Sequence, residues 1–178
     1  MERIYILGGD GFLGKSLQNI FSKKNLSFKV GDISNKINSS SYLDITDIDT
    51  FNKHDDFSTI INLAAEHKDN VKPISKYFDV NVKGAKNVCK YAEEKNINKI
   101  IFVSSVAVYG FSNSTIGETG EINYFNEYGR TKYLAEKVYE DWYLKDQAKR
   151  CLIIIRPTVI FGEGNRGNVY NLMKQISQ

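Results

Sequence analysis

The sequence predicts an α/β fold, a doubly wound parallel sheet with helices on both faces. Two observations predict it. Short apolar runs rich in β-branched residues alternate with longer amphipathic stretches, the pattern of strands joined by crossover helices. The first run, Ile4-Tyr5-Ile6-Leu7, leads straight into a glycine cluster and then a helical pattern. That order builds the ligand-binding edge of such a sheet.

Taken in order, strands are expected over 3–7, 27–31, 42–44, 58–63, 99–104 and 151–156, and helices over 12–24, 48–53, 74–96, 126–149 and 168–176. Pro73 suits the first turn of the third helix, where a missing N–H costs nothing, and Pro157 closes the last strand. Residues 110–126 are polar, contain glycine and lack periodicity, so they read as a long loop, a feature that inside a compact domain tends to be functional. No repeat and no linker divides the chain, so a single domain is expected over 1–178.

Composition narrows the function classes. With 178 residues, 42% of them apolar, the chain can bury a core without disulfides or metals. Its formal net charge of +3 comes from 24 basic and 21 acidic residues scattered along the sequence. There is no dense basic patch, so no nucleic-acid partner is expected. No apolar run approaches the roughly 20 residues that cross a bilayer, so no membrane partner is expected either. Cys89 and Cys151 lie alone in apolar segments, with no CxxC pair and no secretory leader before Ile4. They read as buried free thiols of a cytoplasmic protein. His54 and His67 lack partners at ligand spacing, and no metal site is expected. His67, just past the fourth strand, is a candidate substrate-side contact.

The glycine cluster carries two overlapping motifs. Gly8, Gly11 and Gly14 form GxxGxxG, while Gly9, Gly14, Lys15 and Ser16 form GxxxxGKS, a complete P-loop pattern. Either would bind phosphate through backbone N–H groups at a helix N-terminus. A dinucleotide fold also needs an acid at the end of the second strand for the ribose hydroxyls, and Asp32 stands there, 24 residues after Gly8. A P-loop NTPase needs a carboxylate at the end of a later strand to hold magnesium. The candidates end in Asn62-Leu63 and Val103-Ser104. The balance favours a dinucleotide.

Tyr-x-x-x-Lys occurs four times, at Tyr91/Lys95, Tyr128/Lys132, Tyr133/Lys137 and Tyr170/Lys174, so the motif alone selects nothing. Position selects Tyr128, which opens a helix after the long loop, while Ser104-Ser105 end the strand before that loop; the other three pairs read as surface helix pairs. Removing a hydroxyl proton as a hydride leaves needs a base competent near neutrality, and free tyrosine titrates near 10. Lys132 lies one helical turn along, where its charge favours phenolate, and a serine hydroxyl can hold the substrate oxygen in line. The alternative is that the serines merely cap the strand end.

In this order the residues resemble the extended short-chain dehydrogenase/reductases, the NAD-dependent epimerase/dehydratase family, over nearly the whole chain. The resemblance implies a Rossmann-type sheet and NAD as cofactor. It implies cofactor contacts from Gly8, Gly11, Phe12, Leu13, Gly14 and Asp32, from Asp44-Ile45 beside the adenine, and from Leu63-Ala64-Ala65. Asn81 in Asn-Val-Lys-Gly and Ser104 would lie near the cofactor, and Tyr128 and Lys132 would touch it. Counting back four from Tyr109 selects Ser105 as catalytic partner of Tyr128 and Lys132. Arg156-Pro157 and Phe161-Gly162 resemble the turn leading towards substrate.

Family members that dehydrate or decarboxylate sugars carry acids just after the catalytic Ser/Thr. Here those positions are Val106 and Ala107, which move no protons. The expectation is therefore reversible oxidation at a sugar hydroxyl, by a nucleotide-sugar 4-epimerase or a keto-sugar reductase; a non-catalytic dinucleotide-binding fragment is the alternative. Val159 stands where several epimerases place an Asn. The chain is half the length of such enzymes, so most of a sugar-nucleotide lobe would be missing and turnover would be low. Helices 74–96 and 126–149 would pair two copies into a four-helix bundle, as family members do.

Overall fold

The computed structural model describes residues 2–34, 40–68, 70–113, 115–165 and 167–177; position 114 of the expected long loop lies outside the described residues. In chain order the elements are β1 Arg3–Leu7, α1 Phe12–Lys23, β2 Ser27–Asp32, β3 Ser40–Tyr42, a 3-10 turn at Ile48–Thr50 and β4 Thr59–Asn62. There follow α2 Ser75–Phe78, a π turn at Asp79–Lys83, α3 Gly84–Glu94, β5 Lys99–Val103, a 3-10 turn at Val106–Tyr109, α4 Glu127–Leu144, β6 Cys151–Ile155 and α5 Asn168–Ile176. The six strands form one parallel sheet in the order β3-β2-β1-β4-β5-β6. Strand order therefore reverses between β1 and β4, and the crevice beyond their C-terminal ends is where doubly wound sheets bind ligands.

β1 is central, and its residues from Ile4 to Leu7 are all buried, which explains an unbroken apolar run where a half-exposed strand would alternate. On one face α3 and α4 bury Val88, Tyr91, Ala92, Ala135, Tyr139 and Trp142 against Tyr5, Leu7, Ile60, Ile100 and Phe102. On the other, Leu17 and Phe21 of α1 cover Ile4, Ile6, Val30 and Ile61. The expectation of helices on both faces holds, unevenly. Ile153 and Ile155 on β6 remain 44% exposed each.

α1 and α3 end alike. Asn25 and Asn96 take left-handed backbone (φ 54° each), and the following N–H groups of Leu26 and Ile97 donate back to Phe21 and Ala92. This is a Schellman closure, with asparagine in the place glycine usually takes.

Several expected boundaries move, each for a local reason. The third strand ends at Tyr42, because the Asp44 carboxylate accepts from both the Thr46 N–H and hydroxyl and turns the chain. The expected helix over 48–53 is a single 3-10 turn, capped by Asp47. Pro73 precedes the helix proper, and its carbonyl accepts from the Lys76 N–H. The segment after it is helical through 94 but carries the π turn, which buries Asn81 and Val82. Asn126 caps α4 from outside, accepting from the Gly129 N–H at 2.8 Å, and the helix stops at Leu144 before a series of turns. Cys89 is buried as expected, whereas Cys151 is exposed: it shares the outward face of the edge strand with Ile153 and Ile155. Tyr91 is a core residue whose hydroxyl donates to the Asn52 carbonyl, so Tyr91/Lys95 is not a surface pair.

Gly14 joins α1 to the sheet. A Cβ there would lie 2.3 Å from the Gly9 carbonyl oxygen and 2.5 Å from its Cα, both backbone. Gly14→Ala is expected to destabilise the protein by about 2–3 kcal/mol through forced separation of α1 from the turn, read as a lowered urea midpoint.

Candidate active site

Three segments meet at the C-terminal edge of the sheet: the glycine turn after β1, residues 63–66 after β4, and the end of β5 with the start of α4. Gly8 has φ +77°, and its N–H donates to the Gly31 carbonyl at 2.8 Å. A Cβ on Gly8 would meet the Ala64 nitrogen at 2.6 Å, so the turn and residues 63–66 touch backbone to backbone. Gly11 caps α1 with no side-chain acceptor. The first-turn N–H groups of α1 are thus left for an anion.

Asp32, at the end of β2, stands against this turn. Its two carboxylate oxygens accept from the backbone N–H groups of Asp10 (2.9 Å) and Ser34 (2.8 Å), each keeping further acceptor capacity. Phe12 turns towards the 156–162 segment, where its ring edge approaches Gly162. Leu13 is half-buried on α1. Asp44 spends its carboxylate on the turn at Thr46, and Ile45 is buried against Gly84 with its carbonyl accepting from the Asn87 side chain. Lys15 and Ser16, the P-loop coincidence, are both exposed, and the Ser16 hydroxyl donates back to the Phe12 carbonyl.

Leu63, Ala64 and Ala65 are held by two buried asparagines. The Asn62 amide donates to the Tyr139 hydroxyl of α4 at 2.7 Å, and its oxygen accepts from the Ala64 N–H at 3.0 Å. Asn81, expected near the cofactor, spends its amide on protein. Its oxygen accepts from the Glu66 N–H at 2.9 Å, while its NH2 donates to the Glu66 carbonyl and, at 3.0 Å, to the Thr131 hydroxyl. The π turn is what swings Asn81 into that position.

Ser105 and Tyr128 come together. Ser105 caps the 3-10 turn at Val106–Tyr109, accepting from the Ala107 N–H at 3.1 Å, and stands beside the phenol of Tyr128. Burial pushes the Tyr128 phenol above its ordinary value, and the neighbouring Ser105 hydroxyl opposes this in part. Ser104 is buried, with no hydrogen-bond partner for its hydroxyl among the described residues. Lys132 is 2% exposed; its ammonium donates to the Val103 carbonyl at 2.6 Å and lies 4.3 Å from the centre of the Phe102 ring. Burial brings its pKa down to about 7, against the opposing charge of Glu136. The expected effect of Lys132 on the phenol is not among the influences acting on Tyr128 in this state.

The sequence reading missed the network behind this pair. Glu136 is fully buried, and Arg156 forks onto it at 2.9 and 2.7 Å. Arg156 also donates to the Tyr109 hydroxyl and to the Glu118 carbonyl, which pins the long loop. A signal was present. Glu136 falls on the same helical face as Ala135, Tyr139 and Trp142, and a carboxylate on a buried face needs a partner.

Comparison with known proteins agrees with this geometry. The sequence matches the NAD dependent epimerase/dehydratase family over residues 4–178. The chain belongs to that family. It is 43% identical over 187 residues to the N-acetyl-alpha-D-glucosaminyl-diphospho-ditrans,octacis-undecaprenol 4-epimerase of Escherichia coli O157:H7, matching 99% of this chain and 54% of that one. It is 27% identical to the UDP-glucose 4-epimerase of Vibrio cholerae, over 99% of this chain and 57% of the relative. Among solved structures, a UDP-galactose 4-epimerase superposes with a TM-score of 0.84 at 21% identity, covering 98% of this chain and 62% of the other. The Brucella ovis UDP-glucose 4-epimerase in complex with NAD gives 0.78 at 25% identity, covering 88% and 51%. This epimerase/dehydratase chain thus spans about half the length of the curated relatives it matches. Among the described residues no helix is long and apolar enough to cross a membrane.

The Ser105 hydroxyl favours the Tyr128 phenolate. Ser105→Ala should therefore shift the Tyr128 titration to higher pH, read as the ultraviolet phenolate signal lost in Tyr128→Phe.

Proposed function

We propose that this chain is the cofactor-binding and catalytic part of an NAD-dependent 4-epimerase of a diphosphate-linked sugar. The observation that carries the reading is the Ser105–Tyr128 hydroxyl pair, with Lys132 one turn behind it, at the strand edge beside the glycine turn. Val106 and Ala107 after Ser105 offer no further acid or base, which favours reversible oxidation of a hydroxyl over elimination.

The residues fit a dinucleotide. Gly8 lets the turn lie backbone to backbone on Ala64, the first N–H groups of α1 await an anion, Asp32 presents free lone pairs, and the buried Ser104 hydroxyl has no partner among the described residues. Gly8, Gly11 and Gly14 with Phe12 and Leu13 would line the pyrophosphate, and Asp32 would accept from the adenosine ribose. Asp44, Ile45, Leu63, Ala64 and Ala65 would flank the adenine half, with Asn81 holding that wall. Ser104, Tyr128 and Lys132 would lie along the nicotinamide half. When bound, NAD accepts and returns a hydride at the sugar carbon. The chain's own residues would do the rest: Tyr128 would take the proton of the sugar hydroxyl and give it back, Ser105 would hold that oxygen in line, and Lys132 would stand one helical turn along as the cofactor-side cation.

The sugar's carrier is less narrowly drawn. The solved neighbours' names specify UDP-sugars, and the relative at 43% identity is named for a polyprenol-linked one. A hexose on a diphosphate is the common chemistry, and a nucleotide sugar is the proposed substrate. That relative's higher identity supports a polyprenyl diphosphate carrier as the second reading. A homodimer through α3 and α4 is part of the proposal; a monomer mass by light scattering at high concentration would end it.

Calorimetric titration with NAD, NADP and magnesium-ATP tests the reading. NAD is expected to bind well ahead of NADP with no ATP signal, and Asp32→Ala should weaken NAD by about ten- to a hundredfold, the worth of a charged hydrogen bond or two. ATP binding without NAD binding would overturn it.

A further inference from the structure

We propose that Glu136 and Arg156 are positioning residues for Lys132: the Glu136 carboxylate is the counter-charge that keeps the buried ammonium protonated, and Arg156 sets how much of that charge Lys132 receives. The inference rests on the reading of Lys132 as a cofactor-side cation.

Lys132 is buried, and among the described residues no carboxylate lies within ion-pair distance of it. Its ammonium has one carbonyl, that of Val103, and one ring face, that of Phe102. Neither carries a formal charge, and a desolvated cation with neutral partners tends to lose its proton. Glu136, four residues on along α4 and itself buried, is one helical turn away on the same side of the helix and raises its pKa. That carboxylate is also fully buried and is bound by both prongs of Arg156. One buried carboxylate, Glu136, thus stands one helical turn from the buried Lys132 and is paired with Arg156. Arg156 is the better-placed claimant because its remaining N–H bonds, to Tyr109 and the Glu118 carbonyl, fix it in place.

Little else can set the charge of Lys132. From its own helix it faces Tyr128 and Glu136. The groups that bind α4 from β4 and the π turn, Asn62 and Asn81, are neutral. Of the charged groups on α2, the π turn and α3, Lys76 pairs with Glu66, Asp79 with Lys83, Lys90 with Glu94, and Glu93 with Lys145 and Arg150, while Lys86 is exposed to solvent. The arrangement gives Lys132 a charge that changes near neutral pH, governed by one pair of residues that never touch the cofactor.

The test labels lysine side chains with ε-13C and follows Lys132, identified by the signal missing in Lys132→Met, through a pH titration of the whole chain without ligand. Glu136→Gln keeps the shape and removes the charge; the Lys132 inflection should fall by about one unit. Glu136→Asp restores a carboxylate and should return the inflection towards its original position. Arg156→Gln frees Glu136 for Lys132 and should raise it. A purely structural role would lower melting temperature in these variants and leave the inflection where it was, and that result overturns the proposal. If Glu136→Gln does not fold, an unmoved inflection in Arg156→Gln is equally decisive. NAD titrations on the same samples separate the two readings. Loss of affinity confined to pH above the Lys132 inflection supports the proposal, equal loss at every pH contradicts it, and absence of NAD binding in the unsubstituted chain refutes the cofactor reading instead.

Discussion

The structure depends on a seam of polar groups that α4 buries against the sheet. A helix packed on a parallel sheet could bury only apolar side chains at no electrostatic cost. This one also buries Thr131, Lys132, Glu136 and the hydroxyl of Tyr139. In a low-dielectric interior each must find a partner, and each finds it on a different segment: Asn81 of the π turn, Val103 of β5, Arg156 past β6, and Asn62 of β4. The helix that carries Tyr128 is therefore held in register against four separate parts of the chain. Apolar packing alone tolerates small slips; these directional bonds do not.

The glycine turn solves a different problem by the same economy of space. Gly8 brings its backbone against Ala64, and Gly14 brings α1 against Gly9, so the strand edge is built with main chain where side chains would otherwise stand. An anionic ligand can then meet N–H groups directly. Residues 63–66, which Gly8 touches, are also those clamped by Asn62 and Asn81 to α4. The glycine turn and α4 are connected through them, and the two halves of the candidate site share one frame.

Much of this was legible in the sequence. The strand and helix periods indicated the sheet and its crossovers, because β1 and β4 are buried on both faces and β5 on one. Position along the chain singled out Tyr128, which the fold brings beside Ser105, and Asp32, which the fold brings against the glycine turn. Other features were hidden for physical reasons. Whether Leu43-Asp44 continue a strand depends on one side chain bonding to Thr46, and a π turn at Asp79–Lys83 leaves no mark in a 3.6-residue pattern. Edge exposure of Cys151 follows from which strand ends the sheet. The pairing of Glu136 with Arg156, 20 residues apart, exists only once β6 has packed beside α4. Asn81 illustrates this best: the bonds of its amide to Glu66 and Thr131 form only once the π turn packs against α4.

Backbone hydrogen exchange measured by mass spectrometry, without ligand, tests most directly the claim that the site is built before anything binds. The account predicts that residues 62–66 and the first two turns of α4 exchange as slowly as the strands of the sheet, opening only with the whole fold. Exchange of residues 62–66 at the rate of an exposed loop, with α4 fraying from its start, would contradict it.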